Sequence, residues 1–177
     1  LYTATGMQLN GGYAYVTCLE TQRRTMYLRE TPDCEQTSLH HVNAGTSVSA
    51  STFFSVQTAP TNVQDGDATT SWQTELGDDN NQLIFAFATR QIVDRIELSG
   101  SQTSDQYSFR SVSIERSLDG SSWFTVRETG SFNCTANRLD VLDGWTEYTQ
   151  YIRLLFREQC GTYVALVAVN IISGCSV

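Results

Sequence analysis

The sequence predicts an all-β protein, an antiparallel sandwich of many short strands. Three observations carry that expectation. Val, Ile, Thr, Tyr and Phe recur in short runs with Gly, Asn, Asp and Ser between them, no helical periodicity is sustained, and there are only 2 Pro. The 177 residues suit one compact domain with a modest appendage. With 8 Tyr, 8 Phe and 3 Trp, the core can be built around large aromatic side chains.

The elements follow in order. Tyr13 to Glu20 and Arg24 to Glu30 are β-rich, and the polar break Thr21-Gln22 reads as the turn between them. Residues 1–33 are therefore expected to form an N-terminal β-hairpin extension, closed by Thr31-Pro32-Asp33. A lone hairpin is marginal in water, so it should pack on the main domain or on a partner. Residues 34–177 form the sandwich domain. Gln82 to Ala88 reads as a central strand, apolar on both faces. Ile92 to Ser99 alternates, with Ile96 and Leu98 inward and Arg95 and Glu97 outward. Val112 and Ile114 alternate with Ser113 and Glu115. Asp119-Gly120 marks a hairpin turn before the Trp123 to Arg127 strand. Tyr151 to Phe156 and Val164 to Ile172 complete two packed sheets. Trp123 and Tyr151 read as core.

Composition excludes several function classes. A formal net charge of −8 disfavours nucleic acid and anionic lipid as partners. No apolar run approaches the roughly 20 residues of a membrane helix. Five cysteines, without zinc spacing, point to an oxidising compartment and to disulfides with one thiol left over. Adjacent His40 and His41 would point to opposite faces of a strand, so a shared metal is not expected. Asn133-Cys134-Thr135 is a glycosylation sequon, which makes Asn133 a candidate acceptor. A secreted or cell-surface protein is expected, and the chain from Leu1 would then be a processed form. No Gly-x-Ser-x-Gly, glycine-rich phosphate loop or paired-carboxylate motif stands out, so the expectation is a binding module and not an enzyme.

Six segments, in order, resemble the discoidin or coagulation factor V/VIII C-type domain. The most specific is Asp65-Gly66-Asp67-Ala68-Thr69-Thr70-Ser71-Trp72. Ser49-Ala50-Ser51, the pair Gln82–Phe87 and Ile92–Gly100, Ser111 to Trp123, Tyr151-Ile152-Arg153-Leu154 and Ser173-Gly174-Cys175 supply the rest. The resemblance runs from about Cys34 to Cys175 and implies a jelly-roll β-sandwich. The chain departs from the family at Ala86 and Ala88, where Asp and Gly are common. It also lacks the Glu that many sugar- and calcium-binding members carry near the last strand.

The resemblance implies a binding face built from loops at one end of the sandwich. Three loops are candidates: Phe53 to Asn62, Thr74 to Asn81, and Ser101 to Arg110. Phe53 and Phe54 either pack beneath the first loop or stand exposed for a ligand. Glu75, Asp78 and Asp79 make the second an acidic turn. Gln102, Asp105, Tyr107 and Arg110 in the third combine an aromatic face with polar groups, the kit a sugar site needs. In several family members the Asp65–Trp72 loop binds Ca²⁺, the one cofactor the resemblance suggests. Asp65, Asp67 and Thr70 can offer it hard oxygen ligands, and the same residues can equally make a turn that needs no metal.

The family's framing bridge implies Cys34–Cys175. Cys134 and Cys160 fall at one end of the sandwich by position, which suggests a second bridge. Cys18 is left as a buried thiol or as a link to another chain or segment. The rival pairing is Cys18–Cys34. The expected function is recognition of carbohydrate or glycoprotein in adhesion. The alternative is a structural assembly protein joined to copies of itself through the hairpin and Cys18. Factor-like membrane binding ranks last, because the loop tips carry Asp78, Asp79 and Asp105.

Overall fold

A computed structural model describes residues 4–10, 13–18, 40–41, 45–77, 81–100, 107–130, 132–135, 139–143 and 148–176. Side chains are described for 45–77, 81–100, 107–130, 132–135, 139–142 and 148–173. Contacts divide the chain into two units, Leu1–Glu35 and Gln36–Val177.

In the first unit, β1 (Ala4–Asn10) pairs antiparallel with β2 (Tyr13–Cys18). A hairpin is present, with Tyr13–Cys18 taking an upstream partner. Asn10 faces Tyr13 across the sequence Gly11-Gly12. Gly-Gly suits the positive φ angles of a two-residue hairpin turn, which Thr21-Gln22 does not. The expected turn and the Arg24–Glu30 run lie outside the described residues.

The second unit holds β3 (His40–His41), β4 (Ser47–Ala50), β5 (Trp72–Gln73), β6 (Gln82–Gly100), β7 (Phe109–Ser117), β8 (Phe124–Thr129), β9 (Leu139–Asp143), β10 (Tyr148–Gln159) and β11 (Ala165–Ser176). Two 3-10 turns, Val56–Thr58 and Pro60–Gln64, are the helical elements among the described residues. The segments read as separate strands at Gln82–Ala88 and Ile92–Ser99 form one 19-residue strand. Its first half pairs with β4 and β10, as in Val48 opposite Phe85 and Leu154 opposite Leu83. Its second half pairs with β11 and β9, as in Ile171 opposite Ile96 and Leu142 opposite Ile96. The register shift between Thr149 and Tyr151 of β10 marks the bend between the halves. One layer is therefore β4-β6-β10-β7-β8, and the other is β11, β6 and β9 with the short β3 and β5 on β11. This is an antiparallel jelly-roll β-sandwich, with every pairing antiparallel.

Period-2 alternation fills the space between the layers. Leu83, Phe85 and Phe87 of β6 meet Ile152, Leu154 and Phe156 of β10, Val112 and Ile114 of β7, and Val169 and Ile171 of β11. Trp72 is fully buried, its ring centroid 5.7 Å from that of Phe156, and its indole N–H donates to the Thr52 carbonyl at 3.3 Å. Phe109 packs edge-on against both Phe156 and Phe132.

Trp123 and Tyr151 are not core. With Ile152 and Leu154 inward, the alternation of β10 turns Tyr151 and Arg153 to the outer face, where both are half-buried. There Arg153 donates from Nε and Nη2 to Glu115 Oε2, directly opposite on β7. Its guanidinium lies 4.3 Å from the centre of the half-buried Trp123 ring.

The turn read at Asp119-Gly120 joins β7 to β8. Ser117 Oγ accepts from the N–H groups of Asp119 and Gly120, and Asp119 Oδ1 accepts from those of Ser121 and Ser122. Gly120 has φ 75 and lies against the Tyr151 ring, so a glycine meets both demands there.

Candidate functional site

Short backbone links draw the loops to one end of the sandwich. Phe54 N donates to the Gln73 carbonyl at 2.9 Å, which ties the Phe53–Asn62 loop to β5. Thr74 exchanges hydrogen bonds with Val164: Thr74 N donates to Val164 O at 3.0 Å, and Val164 N donates to Thr74 Oγ1 at 3.1 Å. The exit of the second loop is held where Phe156 N donates to Asn81 O at 2.9 Å. The exit of the third is held where Cys160 N donates to Ser108 O at 2.9 Å. The exits of the second and third loops thus meet the end of β10 and the turn after it, while the first loop is tied to β5.

That turn is fastened by a disulfide between Cys134 and Cys160, with 5.6 Å between their Cα atoms. Cys34 and the side chains of Cys18 and Cys175 lie outside the described residues. Tyr163, in the same turn, stacks on Tyr107 with ring centroids 4.8 Å apart and planes 26° apart. The Tyr163 hydroxyl, hydrogen-bonded to Tyr107, pushes the Tyr107 phenol above its ordinary range.

Beside these links lies a cavity of about 480 Å³ lined by Asn81, Phe156, Arg157, Glu158, Gln159 and Gly161. Phe156 belongs to the buried core. Asn81 is 2% exposed, and its Oδ1 has no hydrogen-bond partner among the described residues. A buried amide oxygen left unpaired costs free energy, so it is a standing demand for a donor. Arg157 and Glu158 are exposed, and neither forms an ion pair with a described residue. Glu158 has φ 54, the one non-glycine residue with positive φ among the described residues. Such a conformation costs a residue with a Cβ, and it collects at sites where the surroundings enforce it.

The expected site residues distribute as follows. Phe53 and Phe54 are exposed, at 40% and 60%, so the reading that buries them beneath the loop is set aside. Tyr107 is half-buried in its stack, and Arg110 is exposed at the start of β7. Gln102 and Asp105 lie outside the described residues. Asn133 is exposed beside the disulfide. Asn81, Arg157, Glu158 and Tyr163 were not singled out from sequence. Asn81 reads as one more turn residue in an Asp/Asn run, and nothing local announces the φ of Glu158.

Asp65, Asp67 and Thr70 come together, bonded to their own loop. Asp65 Oδ1 accepts from Asp67 N at 2.8 Å, and its Oδ2 accepts from the Thr70 hydroxyl at 2.7 Å. Asp67 Oδ1 accepts from Thr69 N at 2.8 Å and from the Thr69 hydroxyl at 2.7 Å. These bonds hold the Asp67 carboxyl below the usual carboxylate range. Gly66 supplies φ 76. The loop is therefore held by its own donors, and no three His, Cys, Asp or Glu among the described residues are grouped to hold a metal. Asp65, Asp67 and Thr70 thus present hard oxygens of the kind Ca²⁺ takes, together with the loop's backbone carbonyls, within a turn that its own donors already hold.

The fold has solved counterparts. A module named CpGH89CBM32-5 from Clostridium perfringens, solved with GalNAc-β-1,3-galactose, superposes with a TM-score of 0.69 at 12% identity, covering 75% of this chain and 99% of its own. The family 32 carbohydrate-binding module of C. perfringens NanJ, solved with galactose, gives 0.68 at 13% identity, covering 77% and 100%. Chitosan-binding module 1 of a chitosanase/glucanase from Paenibacillus sp. IK-5 gives 0.66 at 20% identity, covering 75% and 98%. No curated protein matches the chain. The F5/8 type C domain model matches residues 47–169, a span from β4 into β11 that takes in the cavity and every loop just described, and the chain belongs to that family.

Proposed function

We propose that this domain is a non-catalytic carbohydrate-binding module that holds a glycan at the loop end of the sandwich. The cavity beside the β10–β11 turn carries the reading. It combines a buried amide at Asn81, unpaired among the described residues, with exposed charges of both signs at Arg157 and Glu158. Sugars need hydrogen-bond donors and acceptors in fixed places, with an apolar surface for their C–H faces. The Tyr107–Tyr163 stack borders the same turn, and exposed Phe53 and Phe54 offer further faces. The glycan ligands named for the three superposed modules support this choice of ligand class. Disulfide use and the exposed Asn133 sequon support a role in adhesion or recognition outside the cell, with Asn133 glycosylated.

A glycan array probed with the intact chain, with and without EDTA, tests the reading. Specific binding that persists in EDTA is expected, because the cavity lining carries a single carboxylate, Glu158. Silence across the array, together with concentration-dependent self-association, would overturn it in favour of a structural assembly role. Tyr107→Ala should weaken the binding found, with the melting temperature nearly unchanged.

A further inference from the structure

Resting on the Asn133 acceptor in that reading, we propose that the Cys134–Cys160 bridge decides whether Asn133 is used: glycan transfer precedes closure of the bridge, and closure ends it. The middle residue of the sequon Asn133-Cys134-Thr135 is itself half of the disulfide. Its Cα lies 5.6 Å from that of Cys160, whose N–H donates to Ser108 O at 2.9 Å. The residue before the sequon is pinned as well. Phe132 N donates to Arg110 O at 2.9 Å, and the Phe132 ring meets Phe109 edge-on with centroids 5.7 Å apart. Within the sequon, Thr135 N donates to Asn133 O at 2.9 Å and folds the tripeptide on itself.

A transferase works on a segment that it draws into its cleft, and that segment must first leave the surface of the domain. Here leaving the surface strains against a covalent bond and not against hydrogen bonds alone. Asn133 and Thr135 are exposed and Cys134 is half-buried, so a glycan attached earlier stands outside the fold and does not obstruct the bridge. The order is therefore one-way. In the first step the Asn133 amide nitrogen bonds to the anomeric carbon of a lipid diphosphate-linked oligosaccharide. The lipid diphosphate leaves, and the amide proton passes to a base of the transferase. In the second step the two thiols give up two protons and two electrons to an oxidised dithiol oxidoreductase, through a mixed disulfide. Cys160 is made 26 residues after Cys134, an interval of about 1 to 5 s at ~5–20 residues per second. Disulfide formation itself begins on the scale of seconds. Two steps racing on one timescale divide the chains, so Asn133 is occupied in part.

The full chain, secreted from a eukaryotic cell behind an added leader peptide, tests this. Occupancy of Asn133 is read by mass spectrometry of its peptide, in lysate and medium together, so that a variant retained in the cell is still counted. Cys160→Ser leaves the sequon intact and removes its bridge; occupancy should rise about twofold, as follows when one of two evenly matched steps is taken away. The wild type made under a pulse of dithiothreitol should rise equally. Trp72→Ala, which weakens the buried core without touching the bridge, should stay at the wild-type value. Full occupancy in the wild type, or no rise in Cys160→Ser, would overturn the proposal and leave Asn133 an ordinary acceptor. An equal rise in Trp72→Ala would overturn it too, since folding at large and not the bridge would then close the site. A glycan absent from every sample would overturn the acceptor reading along with the proposal, while the glycan array still decides the module reading on its own.

Discussion

Removing the Cys134–Cys160 bridge should cost stability by an amount that follows from the loop it closes. The two cysteines are separated by 26 residues. Closing a loop of that length removes about 12 cal/mol/K of chain entropy from the unfolded state, or about 3.5 kcal/mol at 25 °C. For a domain of this size each kcal/mol moves the melting temperature by about 2–4 °C, so Cys134→Ala/Cys160→Ala should melt about 7–14 °C lower. The double variant is the right perturbation because a single one leaves a thiol free to exchange. Differential scanning calorimetry of both proteins under non-reducing conditions reads the shift. The remaining three cysteines are common to both samples, so their pairing cancels. A shift below about 2 °C would refute the reasoning. It would mean that the hydrogen bond from Cys160 N to Ser108 O and the Tyr107–Tyr163 stack already hold the turn closed in the unfolded ensemble or without the bridge.

Three further outcomes are expected. Trp72→Ala should cost about 3–5 kcal/mol in urea denaturation, because Trp72 is fully buried against Phe156 at the loop end. Gly120→Ala should cost about 1–2 kcal/mol, since φ is 75 and a new Cβ would stand 3.4 Å from the Tyr151 ring, whereas Gly130→Ala, with open space around it, should be nearly neutral. Asp119 should titrate near pH 2 by carboxyl NMR, since the backbone N–H groups of Ser122 and Ser121 and the Ser117 hydroxyl lower its pKa to about 2. Its folded pKa lies below the ordinary 3.8, so its contribution is full above that value and lost as pH falls toward 2; Asp119→Ala should flatten stability across that window.

Much of the fold was legible because alternation has one physical meaning on a half-buried sheet. Ile96, Leu98, Val112 and Ile114 are inward as their spacing required. The Asp-Gly turn was readable because its hydrogen bonds are local. The continuity of β6 was not. Thr89 and Arg90 look like a polar break, yet the strand runs on through them with both exposed, and the Gln91 amide donates to Thr89 Oγ1 at 2.9 Å. Aromatic size argued for burial of both Trp123 and Tyr151, but the register of Tyr151 beside Ile152 decided its face, and Trp123 lies under the outward Arg153. The end of the sandwich that bears the loops was readable by family likeness. Its cavity was not, since Asn81 is buried by contacts with a strand 75 positions later, of which Phe156 N is one.

The 19-residue β6 also sets a problem for synthesis. It is the shared spine of both layers, and β10 and β11, its longest partners, come last among the strands. A ribosome moving at ~5–20 residues per second needs roughly 3 to 13 s to pass from Gly100 to Ala165. During that interval Gln82–Phe87, an apolar β-forming run free of charge, has only the four-residue β4 to cover it. Such a run is prone to pair with the same run of another nascent chain. Yield in a producing cell should therefore depend on translation speed and holding chaperones more than on the final stability of the domain, and a synonymous change that slows the stretch between β6 and β11 should lower it without altering a residue.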